Sequence, residues 1–260
     1  MDPVGNASTR FAALAALFDS TTEHHLWDRG VGPGWHCLEI GGGGGSIARW
    51  LGERVGPDGR VVVTDVDTQF LDQVALPNVD VRRHDITRDV LPEQAFDLIH
   101  TRMVLMHLPA RDQVLSRLVP ALKPGGWLVC EEFDRLSAPP DPGLGEIALK
   151  THEAMGRLHH DQGVAPDYGR LLFARLRDTG LISLGAEARL VMVQPGSWAG
   201  RLLRASYERR RDAMIDAGYV TETEFDADLA RMDDADFMTP SPLMWSVWGC
   251  RPSEGLCAKG

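Results

Sequence analysis

Five consecutive glycines, residues 41–45, stand directly behind the apolar run Cys37-Leu38-Glu39-Ile40 and directly before Ser46-Ile47-Ala48-Arg49-Trp50-Leu51. Such a run costs conformational entropy on folding, so a local geometry has to require it. A sharp turn from a strand into a helix supplies that requirement. Glycine enters positive φ without steric cost, and without a Cβ it lets a ligand lie on backbone amides and a helix N-terminus. Ile47, Trp50 and Leu51 then fall at helical spacing before Gly56-Pro57-Asp58-Gly59 stops the helix.

The same alternation continues along the chain. Short β-type runs at residues 61–64, 79–81 and 96–99 each end in polar residues. A helix follows with Val114, Leu115, Leu118 and Leu122 on one face, and Lys123-Pro124-Gly125-Gly126 turns the chain into a fifth strand at 127–131. Helical stretches are expected at 11–18, 145–160 and 167–179, a strand at 184–193, helix again across 196–232 and a last strand at 243–250. This pattern predicts a doubly wound, mostly parallel α/β sheet with a helical insertion between the last two strands. One domain is expected: a helical segment at 1–34, a cofactor-binding half at 35–135, and a substrate-side half at 136–260 with a cap at about 196–233. No internal repeat or low-complexity segment interrupts it.

Glycine-rich loops after a first strand also serve nicotinamide and flavin enzymes. Here the fingerprint G-x-G-x-x-G fails, since its third position is Ser46 from Gly41 and Ile47 from Gly42. The pattern that fits is E-x-G-x-G-x-G, through Glu39, Gly41, Gly43 and Gly45. Asp65 closes the second strand, where a carboxylate can accept from two ribose hydroxyls. Asp85 follows the third strand, where an acceptor suits an adenine amine and the Ile86 amide can donate to the ring. Singly, each acid reads as a turn residue. Together at successive strand ends they read as a nucleoside site, and Asp85 disfavours the nicotinamide alternative.

With 37 acidic against 27 basic residues the formal charge is -10, so the mean field repels a phosphate backbone and nucleic acid is excluded as a partner. The basic cluster at residues 209–211 reads as a solvated helix face. Cys37, Cys130, Cys250 and Cys257 lack metal-ligand spacing, as do His159 and His160, so no metal site and no disulfide framework is expected. No apolar run approaches the roughly 18 to 20 residues of a bilayer span. A cytoplasmic protein with a small-molecule partner is expected, with a homodimer as the alternative to a monomer.

The glycine loop, Asp65, Asp85, the run FDLIHTRMVLMHL and the segment KPGGWLVCEEFD together resemble class I S-adenosylmethionine-dependent methyltransferases. Within that group the chain is similar to actinobacterial small-molecule methyltransferase-domain proteins, through Pro166-Asp167-Tyr168-Gly169 and Trp248-Gly249-Cys250-Arg251-Pro252. The resemblance implies a seven-stranded Rossmann-like methyltransferase fold that binds S-adenosyl-L-methionine and transfers its methyl group to O, N or C of a small acceptor. It further implies that Glu39, Gly41, Gly42, Gly43 and Gly45 shape the methionine site and that Asp65, with Val66 beside it, holds the ribose. Asp85 and Ile86 would hold the adenine, and Thr101 and Arg102 would lie by the methionine end.

Methyl transfer from a sulfonium relies on alignment in a dry pocket, and a base helps only some acceptors. His107, in the Met-His-Leu segment after the fourth strand, is the candidate base, with structural packing as its alternative. His100 is disfavoured because it lies within the strand. Glu131, Glu132 and Asp134 follow the fifth strand, and Glu132 with Tyr168 is the candidate acceptor contact. Trp198, Tyr207, Tyr219, Phe237, Met238, Met244, Trp245 and Trp248 suit an apolar lid over a hydrophobic acceptor. Because fold does not fix chemistry, a cyclase, a decarboxylase or a binding module of this fold is the alternative.

Overall fold

The protein is described from a computed structural model, in which residues 3–137 and 145–253 are placed. Helix α1 (Pro3–Asp28) leads into β1 (His36–Ile40), α2 (Ser46–Val55), β2 (Arg60–Asp65), β3 (Val79–Arg83) and β4 (Phe96–Arg102). A 3-10 turn, Leu105–His107, precedes α3 (Arg111–Ala121) and the long β5 (Leu122–Asp134). Beyond it come α4 (Gly145–Asp161), α5 (Tyr168–Asp178), β6 (Ile182–Arg189), β7 (Met192–Val193), α6 (Trp198–Glu208), α7 (Arg211–Asp216), α8 (Glu222–Arg231), β8 (Thr239–Pro240) and β9 (Leu243–Cys250).

Seven strands form one sheet in the order β3-β2-β1-β4-β5-β9-β6. Pairs from β3 through β5 are parallel, and β9 runs antiparallel to both β5 and β6. Strand periodicity divides the core. Cys37, Val61, Leu98 and Val129 pack with Ile47, Leu51 and Val55 of α2 on one face. Their neighbours Leu38, Val62, Ile99 and Leu128 pack with Val114, Leu115 and Leu118 of α3 and Leu172 and Leu176 of α5 on the other. Being covered on both faces, these strands read as continuous apolar runs and not as alternation.

A further apolar cluster lies outside the sheet, where Met155 and Leu158 of α4 meet Tyr207 of α6, Met214 of α7 and Phe225 of α8. Helices α6, α7 and α8 build the insertion between β6 and β9, and α4, from the connection between β5 and β6, packs against them. The expected single helical stretch across 196–232 is three helices, broken at Arg209-Arg210 and at Gly218, whose φ is +69°. The strand expected at 184–193 is likewise two, since β7 leaves the main sheet to pair with β8. Leu122, expected on a helix face, opens β5, and His107 lies in the 3-10 turn ahead of α3. The first helix extends well past 11–18, burying Leu14, Phe18, Thr22, His25 and Leu26 along one side. Among the described residues no helix is long and apolar enough to cross a membrane. Cys37, Cys130 and Cys250 are free thiols, and Cys257 lies outside the described residues.

Helix α5 approaches β5 so closely that a Cβ on Gly169 would lie 2.5 Å from the Glu132 carbonyl oxygen, whereas Gly156 in α4 has nothing within 4 Å. Gly169→Ala is therefore expected to destabilise by about 1–3 kcal/mol, the cost of overpacking. Gly156→Ala is expected to stabilise by up to about 1 kcal/mol through helix propensity. Urea unfolding of both variants measures the opposite signs.

Candidate active site

Parallel sheets of this kind open a crevice at the carboxyl ends of their strands where the strand order reverses, here between β1 and β4. A cavity of about 550 Å³ occupies that place. Its base is the glycine loop. Gly41 has φ +74°, and a Cβ there would lie 2.2 Å from Val104, so only glycine fits between β1 and the turn after β4. The amide of Gly43 donates to Asp65 Oδ2 at 3.1 Å, which ties the loop to the end of β2. Overhead lies α1, whose Phe11 packs edge-on to Phe70 and against Gly43 and Gly44.

Beneath the loop is a buried ionic cluster. His100 Nδ1 lies 2.6 Å from Glu39 Oε2, and His100 Nε2 lies 3.3 Å from Glu131 Oε2. Glu131 also accepts from Ser246 at 2.5 Å and from the Thr22 hydroxyl. Thr22 in turn accepts from Arg102, which pairs with Asp19 at 2.7 Å. Burial opposes charge on His100, but Glu39 and Glu131 raise it to about 9, so the ring is an imidazolium shared by two carboxylates. The strand histidine, disfavoured from sequence as a base, is fully buried outside the cavity lining and holds Glu39, which lines it.

Among the expected cofactor residues, Glu39, Gly41, Gly42, Gly43, Asp65, Val66, Asp85, Ile86 and Arg102 line the cavity. Gly45 does not; it caps α2 at φ +76°. Thr101 does not either, being fully buried. Asp85 combines both of its readings, since it faces the cavity while its Oδ1 accepts from the Thr87 amide at 2.9 Å and hydroxyl at 2.6 Å. The polar lining fits a nucleoside: acids stand at the ends of β1 and β2 and after β3, and beside Asp85 both ring nitrogens of His84 are buried without a partner among the described residues. Sequence reading missed His84, because a histidine among charged residues carries no pattern.

The acceptor side differs more from expectation. His107 lines the cavity, but burial and then the charges of Arg210, Arg10, Arg209 and Arg135 lower it to about 4, so it is neutral at ordinary pH. Glu132 and Tyr168, expected to contact the acceptor, are turned away from the cavity. Glu132 is buried and its Oε1 accepts from the Val104 amide at 3.0 Å and the Leu105 amide at 2.6 Å, fixing the turn that carries His107. Burial pushes its carboxyl up to about 8, against those amide bonds. Tyr168 opens α5 in the core and donates to Asp112 at 3.1 Å.

The aromatic lid is also corrected. Tyr207 and Phe237 line a second cavity of about 120 Å³ under the cap, and Met244, Trp245 and Trp248 belong to β9. Trp198 is exposed with Arg201 stacked on it, and Tyr219 donates to Asp161. What the cap contributes to the large cavity is Arg209, which is exposed, as expected of its cluster, and lines the cavity as well.

Comparison with known proteins finds methyltransferases. Residues 38–128 match the methyltransferase-domain family. A ubiquinone/menaquinone biosynthesis C-methyltransferase of Laribacter hongkongensis is 29% identical over 178 residues, 60% of this chain and 72% of that protein. A phosphoethanolamine N-methyltransferase of Haemonchus contortus, crystallised with S-adenosylhomocysteine, superposes with TM-score 0.59 at 17% identity, over 91% of this chain and 53% of that one. A Galdieria sulphuraria protein, solved as a candidate sarcosine dimethylglycine methyltransferase, gives TM-score 0.57 at 15% identity, over 91% and 85%. These solved structures share the fold; this chain spans about half the length of the Haemonchus enzyme.

The raised pKa of His100 makes stability depend on alkaline pH. Its contribution is complete below about pH 6.5 and is lost as pH rises through about 9. The melting temperature of the parent protein should fall from pH 7 to 10 more steeply than that of His100→Gln. Parallel curves for the two proteins would place the charge elsewhere.

Proposed function

We propose that this chain, an S-adenosylmethionine-dependent methyltransferase, acts as one domain that methylates O, N or C of a small molecule held between α1, the turn after β4 and the cap. One observation carries the reading: Glu39, Asp65 and Asp85 converge with the positive-φ glycine loop on a single cavity at the strand-order reversal. When bound, S-adenosylmethionine supplies a methyl group on a positively charged sulfur. In this reading Asp65 accepts from the ribose hydroxyls, and Asp85, with the Ile86 amide, receives the adenine. Glu39, held by His100, sets a carboxylate near the methionine end.

Phe11 and the rest of α1 exclude water from the glycine loop, and Met103, Val104 and His107 face the space left for the acceptor. Rate then comes from alignment in a closed site. Neutral His107 accepts a hydrogen bond or proton from the acceptor; Glu132 positions it through the turn. The Laribacter relative is a C-methyltransferase by name, and its similarity supports a carbon acceptor among the three. The free thiols support a cytoplasmic location. The Pro166-Asp167-Tyr168-Gly169 and Trp248–Pro252 segments support kinship with the actinobacterial proteins.

Calorimetric titration should show binding of S-adenosylhomocysteine and none of NAD, and binding of NAD alone overturns the reading. Asp65→Ala should weaken S-adenosylhomocysteine by about 1.5–3 kcal/mol, the scale of hydrogen bonds to a charged group. Where His107 takes the acceptor proton, kcat/KM should hold from pH 7 to 5 and fall only through about pH 4. A fall centred near 6.5 would instead report a histidine free of the surrounding arginines.

A further inference from the structure

Arg10 on α1 and Arg209 behind α6 both line the large cavity. Arg210 and Arg135 stand close enough that their charges, with those of Arg10 and Arg209, act on His107. Among the described residues neither Arg10 nor Arg209 has an ion pair or a side-chain hydrogen bond, and Arg210 donates to the neutral Gln162 at 2.8 Å. Arg10 is half-buried, and burial together with Arg209 and Arg210 lowers its pKa to about 10. The one acid adjacent in sequence, Glu208, turns instead to Arg204 at 3.5 Å and Asn6 at 3.4 Å.

Acids are not scarce in a chain of charge -10, and three other part-buried arginines pair with one: Arg102 with Asp19, Arg231 with Asp228 and Arg211 with Glu222. Others, such as Arg54 and Arg189, donate instead to a carbonyl or a hydroxyl, which Arg10 and Arg209 do not among the described residues. Arg209 is exposed and Arg10 half-buried along one cavity, and like charges held side by side there repel each other unless an anion neutralises them. Guanidinium groups match carboxylate and phosphate oxygens in two-point hydrogen bonds. The place is also the right one. Asp65 and Asp85 follow strands on the β2 side of the glycine loop, whereas His107 and the arginines about it lie on the β4 side, left to the acceptor.

We propose that the acceptor carries a carboxylate or phosphate group and that Arg10 and Arg209 bind it, with Arg210 and Arg135 adding to the positive field. This rests on the methyl-transfer reading for the word acceptor, but the anion site stands on its own geometry. Docked there, the anion fixes one end of the acceptor and leaves the other toward the methyl donor. It also neutralises the charges that, added to burial, lower the pKa of His107.

Calorimetry in a buffer free of phosphate and carboxylate tests it, using benzoate, phenyl phosphate and the neutral benzamide as probes, with and without S-adenosylhomocysteine. At least one anion should bind about tenfold or more tighter than benzamide, the scale of charge-assisted pairs. The preferred anion tells carboxylate from phosphate. Arg10→Gln with Arg209→Gln should reduce the preference to less than about threefold, Arg10→Lys should retain part of it, and Arg177→Gln, an exposed residue of α5 outside the cavity, should leave it intact. Equal binding of anions and benzamide, no binding of either anion, or a preference that survives the double variant overturns the proposal. Failure of S-adenosylhomocysteine to bind overturns the methyl-transfer reading instead, and the titrations without it then decide the anion site alone.

Discussion

Glu39, His100 and Glu131 lie on β1, β4 and β5, and these three strand ends can meet only if two buried carboxylates share one positive charge. Removing the charge from the ring would leave two buried acids without a counter-charge, which costs about 3–5 kcal/mol or forces one of them to take up a proton. The glycine loop departs two residues beyond Glu39, so its starting point is set by this cluster. So is the roof of the cavity: Thr22 bonds Glu131 and Arg102, and Arg102 holds Asp19, which fixes α1 across the strand ends and brings Phe11 over the loop.

From the same helix comes the opposite electrostatic character of the acceptor side. One turn before Leu14 and next to Phe11, Arg10 reaches the cavity beside Arg209, and burial, with the field of these two and Arg210 added, keeps His107 neutral. An acidic protein thus encloses a basic cavity. The mean charge governs encounter with large polyanions, but a small ligand inside a cleft responds to the groups lining it. Excluding nucleic acid on net charge and proposing an anionic acceptor are therefore compatible.

Local sequence carried the cofactor half well. Strand ends there are marked by Glu39, Asp65 and Asp85, each placed by a short-range rule of apolar run followed by polar residue, and all three line the cavity. The acceptor half has no such rule. Glu132 follows the fifth strand as a ligand-facing acid would, yet an odd or even step along a strand decides which face a side chain takes, and its step leads to the amides of Val104 and Leu105. Tyr168 and the aromatic residues of the cap satisfied the composition of a pocket but had core space to fill, and burial there won.

The amino-acid sequence by itself determined the parallel sheet, the glycine turn, the acids that follow its strands and the helical insertion, because each is written in neighbours a few residues apart. Only tertiary structure decided that His100 is an ionic keystone, that Arg10 and Arg209 from opposite ends of the chain meet across one cavity, and that His107 is neutral. Those properties are sums over charges and burial contributed by distant segments. A linear pattern cannot encode the sign of a field that exists only once α1 has closed over the strand ends.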